Sequence, residues 1–517
     1  MLKACQVCDG TRLYYLFSTP NHRVVRCEDC GLVFVNPQPD TDELNRLRAA
    51  AADRSSDDTI VQNRLSQLRR YHGPGTGQLL EIEYGNGDFL VAAEANGWSV
   101  TGLETASPGQ DRAQQRLKRG KIIGGTLEQS GLAPGHFDVC VLSGTLEQTP
   151  SPVEFLRQVH RLLKPGGTLL VATTAIVSRP AHFIREQQFD LAPGHLTCFD
   201  RQTLQTALFK AGFREIIVAG APASPQHQDG VTEDILVFSR KADLPAQPVL
   251  SVIVPAYNEG RTFGVLMGAL LQKQVPGLRL EIIVVESGST DGTREQALKY
   301  RDHPAVKLIL EEQPRGKGHA VRAGFKVATG DFVLIQDADL EYDLEDYGAL
   351  LEPLVAGRAA LVLGSRHGGR NVLKMRQFTG RHGLSLFVNV GHWFFTALIN
   401  ILFRQRLHDP FTMFKVFRRD CLFGLEFECN RFDFDFELLV KLIRKGYVPV
   451  ELPVNYRSRS FEEGKKVRLV LDPLTWLRTI AWLRFTSIDP LGVVERSRSA
   501  APPAKEFNVP QVADCRP

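Results

Sequence analysis

The sequence has little net charge: 62 Lys and Arg stand against 58 Asp and Glu, leaving +4 over 517 residues. A surplus so thinly spread offers no basic face to a phosphodiester backbone, so nucleic acid is excluded as an expected partner. The N-terminus, MLKACQVCDG, lacks the apolar core of a secretory leader, and a cytoplasmic protein is expected. A clean membrane span is also missing. The nearest stretch, Leu384 to Phe403, is long enough to cross a bilayer, but it holds Asn389, His392 and Asn400 and runs into Arg404 and Arg406. Two readings stay open for it: a buried amphipathic helix, or a helix lying peripherally on the cytoplasmic face of a membrane. Cysteine is not scarce, yet four of the nine fall in two CxxC pairs, which in a cytoplasmic chain favours metal over disulfide.

A chain of this length exceeds one core, and four segments and a tail are expected. Residues 1–40 hold Cys5, Cys8, Cys27 and Cys30, with about 18 residues between the pairs. That spacing suits a zinc ribbon whose four thiolates close a tetrahedral structural site. Residues 41–241 alternate strand-like and helical patterns, as a doubly wound α/β domain does. Residues 242–249 read as a linker. A second strand–helix series covers 250–470, and 471–517 reads as an amphipathic helix followed by a tail, disordered from Arg496.

In the first series, Gln78 to Leu90 is a strand, a glycine turn and a helix, and Trp98 to Glu104 is a second strand ending in a carboxylate. Glycines let a backbone approach a nucleoside, and the carboxylate accepts hydrogen bonds from ribose hydroxyls. With the strand His136 to Leu142, the turn Leu162-Leu-Lys-Pro-Gly-Gly and the segment Pro193 to Phe213, residues 1–240 resemble class I S-adenosylmethionine-dependent methyltransferases preceded by a zinc ribbon. The resemblance implies a Rossmann-like fold and S-adenosylmethionine held, if this half is active, by Glu81, Gly85, Gly87 and Glu104. The glycine turn departs from the family pattern, because Glu83 replaces its first glycine; Gln148 stands where many relatives have histidine. An active methyltransferase and a fold kept for scaffolding both remain open.

In the second series, the buried strand from Leu250 breaks at Pro255 into a polar loop, and the strand from Glu281 ends in the turn Ser289-Thr-Asp-Gly-Thr293. A third strand from Asp331 runs into Asp337-Ala-Asp-Leu-Glu341. Carboxylates at the carboxyl ends of neighbouring strands converge on the crevice where such sheets bind ligands. Packed closely they repel, so a divalent cation is the natural partner, and oxygen ligands favour Mg²⁺ or Mn²⁺.

These motifs, with Arg315-Gly-Lys-Gly318, Gly364-Ser-Arg366, Lys415 to Arg418 and Arg459 to Lys466, resemble family-2 glycosyltransferases of the GT-A fold, in particular the dolichol-phosphate and polyprenyl-phosphate mannose synthases. The resemblance implies that Pro255, Tyr257, Glu259, Glu286, Ser287, Lys317 and Ala338 line the donor site. It further implies Asp337 and Asp339 as the metal pair, Glu341 as a third ligand, and Arg366, Arg459 and Lys465 on the donor phosphates. Arg376 would meet an acceptor phosphate. Asp433, Asp435 and Glu437 are the candidates for a general base, which a hydroxyl acceptor needs and an anionic lipid phosphate does not. The expected function is inverting sugar transfer from a nucleotide-sugar donor to a polyprenyl phosphate. The alternatives are transfer to a glycan or small-molecule hydroxyl alongside an active methyltransferase, and a non-catalytic scaffold. Trp393, Trp476 and Trp482 beside arginines are the composition expected at a lipid headgroup layer.

Overall fold

The computed structural model describes residues 1–18, 22–40, 42–44, 46–47, 57–105, 110–176, 194–220, 232–242, 247–366, 382–457 and 471–499. Three sheets organise them. The first is small: β1 (Leu13–Ser18), β2 (Arg23–Cys27) and β3 (Val33–Val35) pair antiparallel, and the fourth strand, β9 (Thr197–Cys198), arrives from far along the chain. The ribbon cysteines share one apolar cluster with Leu80, Leu142 and Phe213 of the second sheet, so this short segment borrows a core it is too small to build.

The second sheet contains β4 (Gln78–Ile82), β5 (Ser99–Glu104), β6 (Lys121–Gly124), β7 (Phe137–Ser143), β8 (Leu163–Ile176), β10 (Phe213–Gly220) and β11 (Thr232–Lys241). Its order is β10-β11-β8-β7-β4-β5-β6, parallel from β8 to β6, with β11 antiparallel to both neighbours. The third sheet contains β12 (Val249–Ala256), β13 (Arg279–Ser287), β14 (Val306–Glu311), β15 (Phe332–Ile335), β16 (Leu361–Ser365), β17 (Lys415–Arg418) and β18 (Pro449–Pro453). It runs β14-β13-β12-β15-β17-β16-β18. The direction of winding reverses between β12 and β15, which opens a crevice at their carboxyl ends. The two α/β folds match the sequence expectation. The strand carrying Asp331 to Ile335 is, however, fourth in its series: β14 intervenes as an edge strand whose Leu310 stays exposed, and that weakens its apolar signature.

Behind the third sheet, the helix His382–Phe403 packs with the helices Phe434–Arg444 and Leu471–Phe485. The chain then forms one more helix, Pro490–Ser499, which lies on the helix Asp58–His72 of the first half. Residues 496–499 are thus helical rather than tail, because Leu491 and Val494 bury against Val61, Leu65 and Tyr71. Residues 500–517 fall outside the described set.

Candidate functional site

At the carboxyl ends of β12 and β13 two loops are stitched together by side chains. Asn258, at φ +50°, donates its backbone N–H to Ser289 Oγ at 2.9 Å and accepts from Thr290 N at 2.9 Å through its side chain. Asp291 accepts from Gly260 N at 2.8 Å and from Thr293 Oγ1 at 2.6 Å. Burial works against the charge of Asp291, but these hydrogen bonds outweigh it and hold its carboxyl below the usual range. The Ser-Thr-Asp-Gly-Thr turn therefore fixes the loop that carries Tyr257 and Glu259. Tyr257 is exposed at the crevice mouth, one residue past β12, and Pro255 lies within that strand.

Across the switch point, β15 delivers the acidic segment. Gln336 is fully buried and anchored by Tyr347 Oη at 3.1 Å, and Ala338 turns inward, its carbonyl accepting from Thr262 Oγ1 at 2.6 Å. Asp337 and Asp339, on either side of Ala338, are both partly exposed. Asp337 ion-pairs with Lys317, the first residue of the helix Lys317–Val327. Burial disfavours the Lys317 ammonium, yet Asp337, Asp435 and Asp339 overcome that penalty and raise its pKa. Asp435, in the first turn of the helix Phe434–Arg444, has its carboxyl raised by burial and by Asp337, against the pull of Lys415 and Lys317. Lys415 is fully buried, 4.0 Å from Asp435, and burial lowers its pKa. Four elements therefore bring Lys317, Asp337, Asp339, Asp435 and Lys415 into one charge cluster.

Several expected residues are committed elsewhere. Glu286 is wholly buried, ion-paired to Arg294 and accepting from Ser289 N at 2.6 Å, so it is not presented to the crevice. Ser287 donates to Glu311 at 2.7 Å, and Glu311 also meets His319 Nδ1 at 2.6 Å. Arg366 gives both arms of its guanidinium to Asp409, at 2.8 and 2.7 Å, and this pair is buried rather than open to a phosphate. Glu341 accepts from Tyr456 Oη at 2.7 Å. Among the described residues, the only group of three or more metal-ligating side chains closing within 4.8 Å is the four cysteines, so Glu341 does not close a triad with Asp337 and Asp339 here. Glu437 is fully buried, bonded to the backbone N–H groups of Glu428 and Cys429 and to Lys441 at 2.6 Å. It braces a loop, and Asp433 likewise accepts from Arg431 N at 3.1 Å. Of the three base candidates only Asp435 joins the cluster. Arg376, Arg459 and Lys465 lie outside the described residues. Asp409 and Glu311 were missed, and Lys415 stood in a motif without a role; an aspartate before and a lysine after the run Phe411 to Phe414 were the available signal.

In the first half, the four cysteines are all buried and unbridged, with Cys5 and Cys30 sulfurs 3.5 Å apart and Cys8 and Cys27 sulfurs 3.5 Å apart. Four soft thiolates in that geometry suit a closed structural zinc site. The glycine turn fits its implied cofactor less well. Glu81 is buried at the end of β4 and accepts from Ser143 Oγ at 3.1 Å; burial pushes its carboxyl up to about 8. Glu83 adopts φ +55°, and its carboxylate reaches across to Thr105 Oγ1 at 2.5 Å. Gly85 N–H donates to Glu104 at 3.2 Å, and Glu104 is only 4% exposed. A Cβ at Gly87 would lie 2.9 Å from Ala113, so that glycine serves helix packing. A ribose needs an accessible carboxylate on β5, and Glu104 is buried and already bonded to Gly85 N–H. The residues present do not fit S-adenosylmethionine in this arrangement.

Comparison with known proteins agrees with the two sheets. Residues 251–423 match the family described as glycosyl transferase family 2, and residues 45–217 match one described as a methyltransferase domain. The dolichyl-phosphate beta-glucosyltransferase of Saccharomyces cerevisiae is 28% identical over 255 residues, 46% of this chain and 74% of its own length. The dolichol-phosphate mannosyltransferase of Pyrococcus furiosus is 29% identical over 218 residues, 42% of this chain and 58% of its own length. Among solved structures, a glucosyl-3-phosphoglycerate synthase from Mycobacterium tuberculosis aligns at 23% identity with a TM-score of 0.34, over 46% of this chain and 80% of that one. The chain thus joins a methyltransferase-family domain to a domain of glycosyl transferase family 2.

Proposed function

We propose that the C-terminal half transfers a sugar from a nucleotide-sugar donor to a polyprenyl phosphate, inverting the anomeric centre. The observation that carries this reading is the cluster of Asp337, Asp339, Lys317 and Asp435 where β12 and β15 part. Asp337 and Asp339 are hard oxygen donors and would hold Mg²⁺ or Mn²⁺, which neutralises charge on a leaving diphosphate. Lys317, at a helix N-terminus, places a further positive charge beside that diphosphate. Tyr257 offers an aromatic face to the donor at the mouth of the crevice. Arg459 and Lys465 are proposed for the donor phosphates and Arg376 for the acceptor phosphate. An acceptor phosphate is already anionic, so no residue has to take a proton from it. The relatives named for transfer to dolichyl phosphate support this acceptor class.

A polyprenyl acceptor also needs a place at the membrane. No helix of the described residues is long and apolar enough to cross one. The helix His382–Phe403 instead exposes Val390, Trp393, Phe394 and Ile401, and the helix Leu471–Phe485 exposes Leu474, Leu477 and Phe485. Arg404, Arg406, Arg478 and Arg484 are exposed on or beside these helices, a combination suited to an anionic headgroup layer. Trp476 does not contribute: it packs against Phe395, Phe411 and Phe436 with centroids 5.3 to 5.6 Å apart.

Asp435 favours a second reading. A buried carboxylate with a raised pKa beside Asp337 is suited to take a proton from a hydroxyl, so a glycan or small-molecule acceptor is the alternative. Metal-dependent nucleotide release from UDP- and GDP-sugars, with and without a short polyprenyl phosphate, separates the two. Lipid-stimulated release that Asp339→Asn abolishes is the expected result. Release driven by a hydroxyl acceptor and lost in Asp435→Asn favours the alternative, and no release from any donor refutes both.

A further inference from the structure

We propose that the N-terminal α/β half acts as a brace for the C-terminal half and takes no S-adenosylmethionine: Glu83 and Glu104 close its nucleoside seat, while its outer elements grip the third sheet.

The seat is closed by the chain's own groups. In a doubly wound sheet a nucleoside enters above the turn after the first strand and is held by the carboxylate ending the second. Here that carboxylate, Glu104, is buried and bonded to Gly85 N–H, and its backbone carbonyl accepts from Gly125 N at 3.1 Å and from Gln110 Nε2 at 3.0 Å. Glu83 completes the closure, because its side chain runs from the end of β4 to Thr105 at the end of β5 and spans the gap a ribose would occupy. It does so from φ +55°, a conformation unfavourable for a non-glycine residue that the Thr105 contact helps to hold. Tyr84 adds to the closure: its ring is buried, within 2.7 Å of where a Cβ on Gly102 would lie, so the turn packs down onto β5. A turn arranged to receive a ligand keeps its carboxylate open and its first residue free of a side chain, and this one does neither.

The outer face of the same half makes specific contacts with the third sheet. Phe209, in the helix Arg201–Lys210, lies beneath two guanidinium groups: Arg214 from β10 at 3.9 Å and Arg418 from β17 at 4.3 Å. Its ring is also 6.2 Å from that of Phe332, which opens β15, the strand that delivers Asp337. Arg214 bonds Asp331 at 3.2 Å, and Asp331 in turn accepts from Val249 N at 3.1 Å, so one residue of the first half sits at the roots of both β12 and β15. Gln202 accepts from Val448 N at 2.6 Å, just before β18. The approach is close: a Cβ at Gly446 would lie 2.9 Å from Arg201, and one at Gly357 would lie 2.8 Å from Lys210. Finally the helix Pro490–Ser499, which follows the whole third sheet in sequence, returns to the first half. Arg70 holds Asp489 at 3.1 Å and Glu495 at 2.9 Å, and Leu491 and Val494 enter the core built on Val61, Leu65 and Leu68. The first half therefore grips the third sheet along its base and is itself gripped by the last described helix. A brace needs that surface and has no use for an open nucleoside seat.

The test uses the full chain and does not depend on which acceptor the sugar reaches. Calorimetric titration with S-adenosylmethionine and with S-adenosylhomocysteine is expected to give no saturable binding up to about 1 mM; a micromolar dissociation constant for either overturns the proposal. Scanning calorimetry is expected to show one cooperative transition, and Arg70→Ala, a surface change that leaves both cores intact, lowers that whole transition. Arg214→Ala is expected to do the same and, in addition, to weaken the thermal stabilisation that a nucleoside diphosphate with Mn²⁺ gives. Two separate transitions, of which the substitutions move only one, overturn the proposal.

Discussion

Arg366 and Asp409 offer a sharp quantitative test, because sequence similarity assigns Arg366 to the donor phosphates and the structure assigns it to Asp409. Their side chains are 6% and 0% exposed, and Asp409 accepts two guanidinium bonds together with the Arg366 backbone N–H at 3.0 Å. Asp409→Asn leaves a buried guanidinium without its counter-charge, which costs about 3–5 kcal/mol. For one cooperative unit of about 500 residues, where 1 kcal/mol moves the midpoint by about 1 °C, the melting temperature falls by roughly 3–5 °C. Replacing both partners, Arg366→Met with Asp409→Leu, removes the desolvation cost along with the attraction and is expected to recover most of the loss, short of the Arg366 backbone N–H left without its acceptor. Denaturant unfolding of the two single variants and the double variant measures the coupling directly. A loss of less than about 1 kcal/mol in Asp409→Asn is the value of a solvated pair and refutes the buried assignment.

Asp339→Asn is expected to lower metal-dependent sugar transfer by about 10²-fold or more with little change in melting temperature, since its carboxylate is partly exposed; unaltered turnover at saturating Mn²⁺ argues against a metal role. Glu437→Gln should destabilise the fold by about 3–5 kcal/mol, because Lys441 and two backbone N–H groups lose a buried charge; a stable but inactive variant would instead restore it as a base. Acid should weaken the second half through Glu281. Burial opposes its charge, but Lys307, Ser251 and Thr329 hold its carboxyl at about 2, down from an ordinary 4.5. A depressed carboxylate stabilises above its unfolded pKa and loses that contribution as pH falls from about 4.5 to about 2, at most about 3 kcal/mol here. Urea titrations across that window should show Glu281→Gln flattening the acid limb, and an unchanged slope would refute the assignment. One zinc per chain is expected on chelation, together with a loss of stability in the first α/β half, because the cysteines share its core; chelator-resistant stability with no zinc released would count against a structural metal.

Much of this protein is legible in the sequence because local signals and the final fold agree. The two CxxC pairs, the strand–turn–helix beginnings at Leu79 and Leu250, and the DAD segment each depend on short-range geometry: thiolate spacing, backbone freedom at glycine, or carboxylates at a strand end. The placement of Asp337 and Asp339 at the crevice follows from that geometry. Edge strand β14 was lost because its half-exposed residues carry a weak alternation.

What the tertiary structure alone decided is which charged residues are free to act. Asp433, Asp435 and Glu437 are nearly identical in sequence, alternating with phenylalanine, yet only Asp435 turns toward Lys317 and Lys415. Glu437, two residues on and so on the other side of the helix, is consumed by backbone N–H groups, and Arg366 and Glu286 are neutralised by Asp409 and Arg294, distant or oppositely facing in the linear pattern. The return of the helix Pro490–Ser499 to the first half was equally invisible, since its apolar face has a period but no address. Local pattern determines where a side chain of a given kind stands along its element; what that side chain meets across the fold is fixed by packing between elements far apart in the chain, and for a buried charge that partner decides whether it acts or only holds the structure together.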